Sequence, residues 1–66
     1  MRVDVEREED GRWMAEVSSI PGAMTFGASK PEAVAMVEAL VLRVLADRLE
    51  RGEEAPEVGH VFTVAA

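Results

Sequence analysis

Between Asp10 and Glu32 the chain reads DGRWMAEVSSIPGAMTFGASKPE, and this stretch constrains the fold more than any other. It has to hold a turn, a strand, a corner, a second strand and a helix start. Asp10-Gly11 has the backbone freedom of a tight turn. Arg12–Ser18 alternates, with Trp13, Ala15 and Val17 on one side and Met14, Glu16 and Ser18 on the other. Ile20-Pro21-Gly22 ends that strand, because proline lacks the N–H a ladder needs and glycine tolerates positive φ. Ala23–Ala28 then returns as a short strand, with Met24, Phe26 and Ala28 on one side and Thr25 and Gly27 on the other. Gly27 marks a bulge or a close approach of backbone. Ser29-Lys30-Pro31-Glu32 reads as a capping box, in which Ser29 accepts from the N–H of Glu32 and Glu32 reaches back to the N–H of Ser29.

The flanking segments fit this layout. Arg2–Arg7 alternates as a strand, with Val3 and Val5 facing inward, and Glu8-Glu9-Asp10-Gly11 turns it into a hairpin with Arg12–Ser18. A helix is predicted from Lys30 to Arg51, stopped by Gly52 with Pro56 just beyond. Ala33, Val37, Leu40 and Val44 fall within a narrow arc of it, flanked by Val34, Val41 and Leu45 on one side and Met36 on the other. That stripe covers the sheet. Leu42 and Leu49 fall nearly opposite, beside Ala35, Ala39 and Ala46. Two exposed leucines are ordinary. A second apolar face for a neighbouring subunit or a partner is the alternative, favoured because the alanines permit close approach and so small a domain needs more burial. His60–Val64 reads as a final strand, with Phe62 and Val64 on one side. The expected fold is α+β, in the order β-β-β-α-β. A right-handed crossover puts the last strand beside the first, giving a four-stranded sheet of order 3-2-1-4 with one long helix on one face. Asp4, Glu6, Met14, Glu16, Thr25 and Val61 are expected on the other face.

Size and charge narrow the function. The 66 residues support one domain, 1–66. A chain this short buries only about 60% of the surface its unfolded form exposes. Cysteine is absent and there is one histidine, so disulfides and histidine-rich metal sites do not contribute. Oligomerisation is the remaining common source of stability. Thirteen acidic and seven basic residues give a net charge of −6. That disfavours contact with nucleic-acid phosphate and favours a basic partner. The apolar run Ala33–Ala46 is broken by Glu38 and Arg43 and is shorter than the ~20 residues of a membrane span. A cytoplasmic protein is expected.

Several residues admit a chemical reading beside a plain one. Asp4, Glu6 and Glu16 share the outer parity of adjacent strands, as carboxylates that hold Mg²⁺ for phosphodiester cleavage must. Strand-surface carboxylates more often only solubilise, and no basic groove accompanies these. His60 has no cysteine or free serine to complete a triad and reads as the start of a strand. Trp13 reads as core or edge cover before it reads as a base-stacking platform.

The spaced set Asp10-Gly11, Trp13, Ala15, Val17, Ile20-Pro21-Gly22, Thr25, Gly27, Ser29 and Glu32-Ala33 resembles the N-terminal domain of the HicB antitoxin family. The later Gly52-Glu53 and Pro56 also resemble the segment after that family's helix. The likeness covers about residues 1–57. Two departures stand out: many members have cysteine where this chain has Ala23, and many carry a C-terminal DNA-binding domain, for which no room is seen before Ala66. The resemblance implies a truncated ribonuclease-H-like fold without catalysis and without a cofactor. It also implies a partner: a small basic, mRNA-cleaving HicA-like toxin whose RNA surface the antitoxin covers. Exposure parity makes Glu6, Glu8, Glu9, Glu16 and Glu53 the candidates for toxin contact, and Leu42 and Leu49 the candidates for a homo-oligomer interface. The alternative is a self-associating domain with no toxin. A small metal-dependent nuclease is the third reading.

Overall fold

The computed structural model describes residues 1–60. Strands β1 (Asp4–Arg7), β2 (Trp13–Glu16) and β3 (Met24–Gly27) are followed by helix α1 (Lys30–Glu50) and a 3₁₀ turn at Pro56–His60. The strands form an antiparallel sheet of order β1-β2-β3. The expected four-stranded 3-2-1-4 sheet is therefore corrected to three strands among the described residues. His60 closes the 3₁₀ turn instead of opening a strand, and residues 61–64 of the expected fourth strand lie outside the described residues. Alternation of apolar side chains is a local signal, and pairing is decided by contacts distant in sequence.

Turn chemistry sets the register. Gly11 has φ +91° in the β1–β2 hairpin, where the N–H of Gly11 donates to Glu8 O at 3.0 Å and that of Glu8 to Arg12 O at 2.7 Å. The β2–β3 connection closes with Val17 N–H donating to Ala23 O at 3.0 Å, and Gly22 has φ +82° beside Pro21. That closure leaves Ala15 opposite Thr25 and Trp13 opposite Gly27. Ala15 is fully buried, so Thr25 and Gly27 face the helix. Met24 and Phe26 face outward and are 45% and 39% exposed. This reverses the expected faces of the third strand and removes Thr25 from the outer face.

Proximity to the helix explains the small residues. A Cβ on Gly27 would lie 2.7 Å from the backbone nitrogen of Ala33. The Thr25 hydroxyl donates to Ala33 O at 2.9 Å. The first turn of α1 thus rests directly on β3. Ser29 caps it, accepting from Glu32 N–H at 3.3 Å, while the Glu32 carboxylate accepts from Ala28 N–H, one residue earlier than a capping box places it. At the other end Gly52 N–H donates to Leu49 O and Glu53 N–H to Arg48 O, the paired bonds of a Schellman motif, with φ +75° at Gly52.

Ala33, Val37, Val41 and Leu45 of α1 pack on Ala15, Val17, Ile20 and Ala23 to form the core. The buried stripe is thus centred toward Val41 and Leu45, with Leu40 and Val44 half-buried at its border and Met36 exposed. Trp13 is half-buried against the same core, as are Ala55 and Val58 from the segment after the helix.

Candidate functional site

The helix covers one face of the sheet, and among the described residues the other stays open. Two cross-strand rows make up that open face: Asp4, Glu16 and Met24 in one, Glu6, Met14 and Phe26 in the next. Sequence parity places Glu6, Met14 and Glu16 here, and the structure agrees. It adds Met24 and Phe26, which the apolar character of strand three assigned to the core. The signal that identifies them is the size of their neighbours, since Thr25 and Gly27 are the only β3 residues small enough to meet the helix.

The face combines an apolar strip with carboxylates along one side. Asp4 and Glu16 sit directly opposite, and like charges in that position destabilise a sheet. Arg2 relieves part of this, its Nε lying 2.7 Å from Asp4 Oδ1. Phe26 carries the Arg12 guanidinium 4.8 Å above its ring centroid. Arg12 Nε also lies 2.7 Å from Asp10 Oδ2, and the Arg12 N–H donates to Asp10 Oδ1 at 3.0 Å. That backbone bond, followed by the guanidinium, holds the Asp10 carboxyl below its ordinary value. Arg12 thus links the hairpin turn to the apolar strip.

The remaining expected contact residues divide. Glu8 and Glu9 stand on the hairpin turn and, with Glu6, Asp10 and Arg12, line a shallow polar cleft of about 400 Å³. Glu53 is not brought to this place. Helix α1 begins beside the Trp13–Gly27 row, and its 21 residues carry the chain about 30 Å before Glu53. There Glu53 lies 3.5 Å from Arg51. Leu42 and Leu49 are 61% and 52% exposed on the outer side of α1. The structural-motif residues Asp10, Gly11, Trp13, Pro21, Gly22, Gly27, Ser29 and Glu32 sit at turns, at the cap or at the core edge.

No group of three or more carboxylate, histidine or cysteine side chains among the described residues is placed to hold a metal ion. No helix among them is long and apolar enough to cross a membrane. The site and fold define a small α+β domain with one open, acidic and partly apolar sheet face. Neither a family model, nor a curated protein, nor a solved structure matches the chain.

Proposed function

We propose that this domain is a cytoplasmic, non-catalytic binding module of the HicB antitoxin kind, which neutralises a small basic HicA-like toxin by covering its RNA-binding surface. One observation carries the reading: the open sheet face sets exposed Met24 and Phe26 beside Glu6, Glu16 and Asp4. A protein surface that grips RNA offers Lys and Arg around stacking or apolar groups. An acidic face with an apolar strip is complementary to it in both respects. The net charge of −6 steers such a partner inward. Three strands of four residues make a platform of only roughly 14 Å on a side. A stable interface takes about 800 Å² from each partner. The hairpin turn with Glu8 and Glu9 therefore belongs to the interface, and Glu53 does not.

The test pairs the protein with a small basic protein encoded beside it and measures cleavage of an mRNA substrate. Inhibition by the parent, lost in E6K/E16K and kept in E53K, is the expected result. Absence of any such partner, or full inhibition by E6K/E16K, refutes the proposed surface. A second reading, a self-associating domain without a toxin, is favoured by the exposure of Leu42 and Leu49.

A further inference from the structure

We infer that the outer side of α1 is a parallel, two-fold interface with a second copy of this chain, and that Glu38 and Arg43 set its register. The inference does not depend on the antitoxin reading. Ala35, Ala39, Leu42, Ala46 and Leu49 follow one another at steps of four, three, four and three. That is a heptad seam with Ala35, Leu42 and Leu49 at d and Ala39 and Ala46 at a. It lies about 140° around the helix from the buried stripe Ala33, Val37, Val41 and Leu45. The seam is therefore turned away from the core, with Ala39 half-buried and Leu42 bordering a cavity beside Val17 and Val41, and Leu42 and Leu49 are more than half exposed on it. A straight helix drifts only about 20° per heptad from such a seam, which a stretch this short tolerates.

The flanking charges select the partner and its direction. With Leu42 at d, Glu38 takes position g and Arg43 the following e. In a parallel pair these two meet across the axis, twice. Both side chains are exposed, and neither makes an ion pair within the chain among the described residues. Five residues apart on a helix, they do not face each other in one chain. The antiparallel register that places every leucine against an alanine instead brings Arg43 against its own copy. Leucine at d with alanine at a also lets two helices approach closely, and leucine at d suits a two-stranded parallel pair. The two sheets then lie on opposite sides of the paired helices, and both outer sheet faces stay open.

Sedimentation equilibrium of the full chain tests this with a charge exchange. The parent is expected to be a dimer. E38R and R43E each place like charges across the axis and should weaken it about tenfold, the equivalent of ~1.4 kcal/mol. An equimolar mixture of E38R and R43E should restore the dimer, and so should the double variant E38R/R43E. A variant that had merely lost its fold would not be rescued by mixing. In L49C, the single cysteine should form a disulfide with its own copy under mild oxidation. An antiparallel pair would hold these residues too far apart for that bond. A monomeric parent, a dimer indifferent to both single variants, or a dimer of L49C that does not cross-link would each overturn the inference.

Discussion

Gly27 should be the least replaceable residue of the sheet, and Gly27→Ala measures how tightly the helix rests on it. Its φ is not positive, so alanine meets no backbone penalty there. The cost is steric. The new Cβ would lie 2.7 Å from Ala33 N, 3.1 Å from Ala33 Cα and 3.3 Å from Ala33 Cβ. The nearest atoms are backbone of the first helical turn, so no rotamer change relieves the contact. Helix and strand have to separate by several tenths of an ångström. That strains the Thr25 bond to Ala33 O and loosens Ala33 and Val37 in the core. Overpacking of this kind costs about 1–3 kcal/mol. A domain of this size has only about 3–5 kcal/mol in hand from its core. Since 1 kcal/mol shifts Tm by about 4–8 °C in such a domain, a midpoint about 10 °C lower is the central expectation. Circular dichroism melts of parent and variant at equal protein concentration give the answer. Gly11→Ala is the contrasting control, since its Cβ would meet nothing within 4 Å and only its φ of +91° opposes the change. A Gly27→Ala midpoint within error of the parent would refute the close approach of α1 to β3.

Thr25→Val keeps the shape but deletes the hydroxyl that donates to Ala33 O, and urea unfolding should show a loss of about 0.5–1.5 kcal/mol. Ser29→Ala removes the acceptor for Glu32 N–H and should cost about 1 kcal/mol by the same assay, while Ser29→Asp should be near neutral. Asp10 has a lowered folded pKa, first through the Arg12 N–H and then through its guanidinium. Its contribution is therefore complete above the ordinary value of 3.8 and lost as pH falls through the folded value. The stability difference between the parent and Asp10→Asn should vanish in acid, and an NMR titration should place the Asp10 carboxyl below that of free aspartate. Arg12→Ala keeps the backbone N–H and removes only the guanidinium, so it should bring the carboxyl part of the way back toward its ordinary value; an unmoved titration would deny the side-chain contact.

Where the sequence speaks through local chemistry, the structure agrees with it. Ser29, Pro31 and Gly52 bound the helix to within a residue because caps and positive-φ stops are local requirements. Alternation about Val5 and Ala15 placed Glu6 and Glu16 on the open face. The third strand misled because Met24 and Phe26 look like core and Thr25 and Gly27 do not. Apolarity is a preference for burial, whereas a glycine against a helix backbone is a steric necessity, and the necessity wins. The four-stranded sheet failed for a related reason. A strand-like pattern beginning at His60 says nothing about which edge it would join, and His60 itself ends a 3₁₀ turn.

Two layers with one shared core leave two outer faces, and their charges differ in a way that suits the two proposed tasks. Residues 1–16, which form the first hairpin, carry six acidic and three basic side chains, whereas α1 carries four and three. The sheet face therefore repels a copy of itself and attracts a basic surface. The helix seam is close to neutral, and Glu38 and Arg43 make it complementary to its own copy. Placing self-association on the sheet would set Asp4, Glu6 and Glu16 of two chains against one another with no compensating cations beyond Arg2 and Arg12. Placing a basic partner on the seam would oppose Arg43 and leave the acidic face unused. Charge thus separates what shape alone does not, and the dimer proposed through α1 would present two acidic sheet faces, pointing away from each other, for two basic partners.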